Sequence, residues 1–344
     1  MIETGDGKNR ASRVTVRDLA RQLGMSTSTV SRAFYDDAII ATETRELVLK
    51  TAAEIGYQPN PLARGLITKS SRIVGLVVSD ITNPFYPEVM TRLTERLQAA
   101  DFNVMLVVAN TSRNEEDSVR VLLSYHPDVV VMLATTLSSS ASAACRKVGV
   151  PVLFFNRIGS DETSCAVTCD NELGGRNVAD YLVSLGHRTF GFVAGRQDAS
   201  TNVDRGRGFR ERISELGLPK PLESEGTAFS YEAGYQAAVD LLTDNKQITA
   251  LFCANDILAV GAMDGAQREL GLLIPDDLSI VGFDDIGMAS WPTRSLTTVR
   301  QPLSLMIDKT TELALRLARK DDDEPVVLRL PGELIERNTA RSIS

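Results

Sequence analysis

Two hydrophobic rhythms divide this chain near residue 70. Before it, apolar residues recur at helical intervals: Val16, Leu19, Ala20 and Leu23 fall at i, i+3, i+4 and i+7, one face of a helix. Gly24 stops that helix, because glycine takes a positive φ cheaply. Ser26 can cap a second helix, with Met25, Val30 and Ala33 inward and Thr27, Ser28, Ser31 and Arg32 outward. A third helix carries Val48, Ala52 and Ile55 and ends at Gly56. The segment Tyr57-Gln58-Pro59-Asn60-Pro61 then breaks the helical pattern, and a short helix follows.

From Arg72 the rhythm changes to short apolar runs alternating with amphipathic stretches. Strands are expected at 73–78 (IVGLVV), 104–109, 129–133, 152–155, 166–169, 190–195, 250–254 and 279–283, with a short one holding Phe229. Helices are expected between them at about 87–100, 115–124, 140–148, 173–185, 204–216, 231–243 and 256–270. This βαβα alternation predicts doubly wound parallel sheets in two similar lobes, with a cleft at the carboxyl ends of the strands. LTTVRQP at 296–302 interrupts the pattern and reads as a crossing between lobes.

The pair of opening helices fits two readings. It is either an ordinary helical hairpin or a helix-turn-helix whose second helix offers Ser, Thr and Arg to a DNA groove. The formal net charge of −8 is unusual for a nucleic-acid binder. It is uneven: residues 1–70 hold ten Lys/Arg against eight Asp/Glu, and the remainder holds 27 against 37. DNA binding would therefore rest on local placement of cations rather than on bulk charge.

Other chemistries find little support. Cys145, Cys165, Cys169 and Cys253 form no CxxC or Cys/His cluster, so they read as buried thiols in a reducing compartment, with no metal and no cofactor. His126 and His187 are the two histidines, and no P-loop, G-x-S-x-G or HExxH accompanies them, which argues against an enzyme acting in the cleft. The first thirteen residues lack an apolar core, so they read as a disordered arm and not a signal peptide, which argues against a solute receptor. No apolar run is long enough to span a bilayer.

The motifs TVSR at 29–32, TRE at 44–46, GYQPN at 56–60 and LARGL at 62–66 stand in the order and spacing of one family. The chain resembles the lactose-repressor (LacI/GalR) family of bacterial transcription regulators from about Arg13 to Arg341. That resemblance implies a helix-turn-helix head, a hinge helix and an effector domain shaped like a periplasmic sugar-binding protein. The expected division is an arm at 1–13, the head at 14–58, the hinge at 59–71 and an effector-binding and dimerisation domain at 72–344. Lobe 1 would take about 72–168 and 299–327, and lobe 2 about 169–296 and 328–344. The implied partners are a near-palindromic double-stranded DNA operator, a second copy of the chain and a small polar effector, in the cytoplasm and away from membranes. No leucine heptad predicts a tetramer coil.

The resemblance also implies site residues. Arg32 is placed to read a base, since a guanidinium pairs with the guanine edge in the major groove. Thr27 and Ser28 occupy the operator-choosing positions, Arg17 and Ser31 would contact phosphate or base edges, and Asn60 and Ala63 belong to the hinge. Leu66 matches the leucine that wedges into the minor groove, against a plain packing role. Ala41 stands where a capping Ser is usual, so Thr42 is expected to cap the third helix instead. In the cleft, Phe85, Tyr86, Asn156, Arg157, Thr201, Arg205, Phe229, Asn255, Asp256, Asp284 and Trp291 match effector-binding positions. Singly, Phe85 could be core, Asp256 a helix cap and Asp284 the partner of an arginine. Together they suit a sugar, a sugar acid or a nucleobase, with Arg157 and Arg205 favouring oxygen acceptors.

Overall fold

The computed structural model describes residues 14–35, 38–59, 70–79, 81–109, 115–133, 140–159, 164–320 and 324–343. It divides into two compact units, Met1–Ser71 and Arg72–Ser344.

In the first unit, α1 (Val16–Leu23), α2 (Thr27–Arg32) and α3 (Thr42–Ile55) enclose a small core. Leu19, Val30 and Val48 are its fully buried centre, with Ala20, Ala33 and Ala52 letting the helices approach. Thr15 and Asp18 form a capping box on α1, and Gly24 ends it in the left-handed region at φ 63°. Ser26 caps α2, accepting the Thr29 N–H at 3.1 Å. The expected Thr42 cap on α3 is corrected: Ala41 is the cap residue, no side chain bonds the helix start, and Thr42 already lies inside the helix.

The second unit holds two six-stranded sheets. β1 (Ile73–Val78), β2 (Asn103–Val108), β3 (Val129–Leu133), β4 (Val152–Phe155), β5 (Cys165–Cys169) and β11 (Val327–Leu330) make the first, in the order β11-β5-β4-β3-β1-β2. Every pairing in it is parallel. β6 (Phe190–Val193), β7 (Leu222–Glu223), β8 (Ala250–Cys253), β9 (Ser279–Asp284), β10 (Thr297–Arg300) and β12 (Glu333–Ile335) make the second, in the order β12-β10-β9-β8-β6-β7. Only β12 runs antiparallel there. The helices between strands are α4 (Phe85–Ala99), α5 (Glu115–Leu123), α6 (Ser140–Lys147), α7 (Asn171–Ser184), α8 (Ser200–Glu215), α9 (Tyr231–Asp244), α10 (Asp256–Leu270) and α11 (Leu303–Arg319).

The continuous runs IVGLVV, VVVML and ALFC are strands buried almost throughout, as a sheet covered on both faces requires. The chain passes between sheets after β5, after β10 and after β11. Because β10 pairs in the second sheet and β11 in the first, these passages fall after Arg300 and Leu330, a few residues beyond the positions near 296–299 and 327–328 expected from the pattern. The strand expected around Phe229 is also corrected: the edge strand is Leu222–Glu223, and Phe229 lies in a bend before α9.

Two helix pairs cross with backbone in contact. On α7 and α8, a Cβ at Gly175 would lie 2.2 Å from the Arg205 carbonyl oxygen, and one at Gly208 would lie 2.0 Å from that of Glu172. Glycine is required at both positions, because backbone cannot move aside as a side chain can.

Candidate functional site

The first unit presents α2 with its outer face open. Thr27, Ser28 and Arg32 are exposed, as is Arg17 on α1, and Ser31 is half-buried. The Ser28 hydroxyl lies 2.8 Å from the capping Ser26 hydroxyl, which ties it to the helix start. Asn60, Ala63 and Leu66 lie outside the described residues.

The second unit has its chemistry at the carboxyl ends of β4, β8 and β9. Residues from lobe 1 and lobe 2 meet around α8. Arg157, after β4, donates from Nη1 to the Thr201 hydroxyl on α8 and to the Asn156 carbonyl at 3.3 Å. The Ile158 N–H donates to Ser200 Oγ at 3.1 Å, and Arg329 of β11 lies 3.7 Å from Asp204 of α8. The Arg157 guanidinium stands 5.4 Å over the Phe229 ring. That ring lies tightly against Gly195, where a Cβ would come within 2.2 Å of it.

Arg205 is almost fully buried, 2% exposed. Its Nε donates to Asn171 Oδ1 at 2.8 Å and its Nη1 to the Ala254 carbonyl at 2.7 Å. Its Nη2 lies 3.0 Å from Asp284 Oδ1, close enough to pair charges but off the line a hydrogen bond needs. The guanidinium sits 3.7 Å over the Phe283 ring, a desolvated cation–π contact. Gln301, at the passage after β10, donates to Asp284 Oδ1 at 2.7 Å. Burial raises the Asp284 pKa, with Arg205 opposing it. Burial lowers that of Arg157 and raises that of the Tyr86 phenol.

Four buried side-chain atoms in this cluster have no hydrogen-bond partner: Asn156 Oδ1, Arg157 Nε, Arg205 Nη2 and Gln301 Oε1. A buried donor or acceptor left unpaired costs about 1–3 kcal/mol, which for Arg205 Nη2 the ion pair with Asp284 offsets. Their convergence from both lobes marks a place where a polar ligand would complete them. A groove of about 410 Å³ borders the cluster along Phe85, Asp284 and Gln301.

The cleft residues named from the sequence thus separate. Phe85 and Tyr86 are buried at the start of α4, their rings 5.4 Å apart edge to face. Asn156, Arg157, Thr201, Arg205, Phe229 and Asp284 come together. Asn255 caps α10, accepting the Leu258 N–H at 3.1 Å. Asp256 is corrected to a structural group: fully buried, it accepts the Ile286 N–H at 2.9 Å and the Thr298 hydroxyl, which occupies both carboxylate oxygens. Trp291 is 56% exposed, so it is no wall of the buried cluster. Gln301 and Asn171 were not foreseen. Their bonds into the cluster, from Gln301 to Asp284 and from Arg205 to Asn171, join residues 17 and 34 apart, so no spacing announces them. Among the described residues no group of three or more His, Cys, Asp or Glu could hold a metal ion, and no helix is long and apolar enough to cross a membrane.

Comparison with known proteins matches residues 15–60 to the bacterial regulatory proteins of the lacI family and residues 179–340 to a periplasmic binding protein-like domain. The HTH-type transcriptional regulator DegA of Bacillus subtilis is 31% identical, with 96% of this chain and 99% of the relative aligned. The lac repressor dimer bound to operator and the anti-inducer ONPF superposes with a TM-score of 0.86 at 26% identity, covering 96% of this chain and 99% of the other. The transcriptional regulator CelR in complex with cellobiose does so with a TM-score of 0.72 at 28% identity, covering 95% and 100%. With both parts matched in their family order, this chain belongs to the lacI family of bacterial regulatory proteins.

Proposed function

We propose that the chain is a ligand-controlled transcriptional repressor that binds a near-palindromic operator as a homodimer, one α2 per half-site, in the bacterial cytoplasm. The observation that carries this reading is the set of four unpartnered buried polar atoms lying between two lobes, in a chain that also presents an exposed Ser/Thr/Arg helix. The operator-bound lac repressor dimer supports the DNA half of the reading, and the cellobiose complex supports the ligand half. In this reading residues 14–58 form the DNA head, 59–71 the hinge and 72–344 the sensor. Arg32 reads a base, and Thr27, Ser28, Ser31 and Arg17 set register. Asn156, Arg157, Thr201, Arg205, Asp284 and Gln301 hold a sugar, a sugar acid or a nucleobase. The ligand acts through different affinities for two arrangements of the lobes, a coupling of about 1–3 kcal/mol.

Genome-wide footprinting of the purified protein, with and without candidate ligands, tests this. A preferred near-palindromic site whose occupancy responds to ligand is expected, and the absence of any preferred site would refute it. Arg32→Ala should cost about 1–3 kcal/mol of operator affinity. It should leave the thermal midpoint unchanged, because the side chain is exposed. Equal operator affinity for the variant would remove Arg32 from its role.

A further inference from the structure

The cleft proposed above holds more positive charge than the described residues around it neutralise. Arg205 has Asp284 at 3.0 Å. Arg157, only 6% exposed, has no carboxylate in ion-pair range among the described residues; its contacts are a hydroxyl, a carbonyl and a ring face. Asp198 feels the Arg157 charge, but Arg196 already grips it through Nε at 2.9 Å and Nη2 at 2.7 Å. Asp256 has both oxygens engaged elsewhere. Asn156, the neighbour of Arg157, is an amide and brings no charge. Two guanidiniums therefore stand against one carboxylate.

A buried, unmatched guanidinium is costly, because desolvation is not repaid by an opposite charge. A ligand that supplies that charge would recover it. The unpartnered atoms sort by chemistry: Arg157 Nε and Arg205 Nη2 are donors, whereas Asn156 Oδ1 and Gln301 Oε1 are acceptors. The donors suit an anion and the acceptors suit hydroxyl groups. The excess is one charge, the charge of one carboxylate. A phosphate, with nearly two negative charges, would over-neutralise it beside Asp284. A neutral sugar or a nucleobase would leave Arg157 unmatched.

We infer that the effector is a polyhydroxylated monocarboxylate, a sugar acid, with its carboxylate on Arg157 and Arg205 and its hydroxyls on Asn156, Gln301 and Asp284. This rests on the cleft being the effector site. The test is calorimetric titration of the full chain with galacturonate, glucuronate and gluconate. Each is set against its neutral counterpart (galactose, glucose and glucitol), with glucose phosphate as a further arm. At least one acid should bind about tenfold or more tightly than its counterpart. Arg157→Gln should close that gap. Asn156→Asp, which places a carboxylate beside Arg157 without removing it, should close it too, so the proposal stays testable if the first variant does not fold. Failure of every acid to bind, a neutral sugar that binds as well as its acid, a preference for the phosphate, or an unchanged ratio in a folded variant would each overturn it. A neutral sugar that wins and is lost in Gln301→Ala would overturn the acid alone and leave the cleft as the effector site.

Discussion

At the residue scale, Arg205 has a structural job that a ligand-binding assay alone would confuse with the proposed one. Its side chain reaches a carboxylate, an amide and a backbone carbonyl, all inside the protein. Arg205→Ala would strand Asp284 as a buried, unpaired charge. The expected loss is about 3–5 kcal/mol of folding stability, read by urea unfolding. Gln301→Ala removes one bond to Asp284 but leaves the ion pair, so about 1 kcal/mol is expected. If the cleft is the effector site, Gln301→Ala loses ligand affinity while staying folded, and it is the cleaner probe of binding. A melting curve for Arg205→Ala identical to wild type would show that the buried pair contributes nothing.

At the element scale, the crossing of α7 and α8 fixes where Arg205 and Asn171 stand. Gly175→Val should force the helices apart at the Arg205 carbonyl, with about 1–3 kcal/mol lost and with weaker ligand binding. A variant with wild-type stability would mean that the crossing has slack. The elements themselves were unevenly legible. Strands such as IVGLVV and ALFC stand out because burial on both faces makes them continuously apolar. The edge strand at Leu222–Glu223 was invisible: it has two residues, both exposed, and no alternation to read. The helix at Leu303–Arg319 went unread behind the LTTVRQP passage, although Met306, Ile307, Thr310, Leu313, Ala314 and Leu317 give it a buried face at helical spacing. Arg205 and Asp284 could be picked out because they sit in short recognisable motifs at the ends of strands and starts of helices. Gln301 and Asn171 matter only through folded contacts, which no single sequence displays.

At the scale of the whole molecule, two buried titratable groups in the second lobe tilt stability in opposite directions with pH. His187 is 1% exposed and holds Thr249 and Ser279 hydroxyls at 2.9 and 3.0 Å; burial lowers its pKa from 6.5. The unfolded chain takes up that proton first, so this group's stability is lost as pH falls below 6.5. Asp256 behaves oppositely. Burial, then the nearby Asp284 charge, raises its pKa from 3.8 to about 7. The folded chain holds that proton longer, so its contribution is full below 3.8 and is lost as pH rises to about 7. Asp256→Asn should therefore destabilise more, relative to wild type, at about pH 5 than at about pH 8. A difference independent of pH would show that Asp256 titrates alike in both states.

The three passages of the chain between sheets also set an order of events during synthesis. β5 ends at Cys169, yet the strand that covers its outer side is β11, which is synthesised only after β6 to β10. Until then the nascent first lobe carries an open sheet margin, the kind of surface on which chains stick to one another. A fragment that stops at Cys169 holds five of the six strands of the first sheet and would keep that margin open.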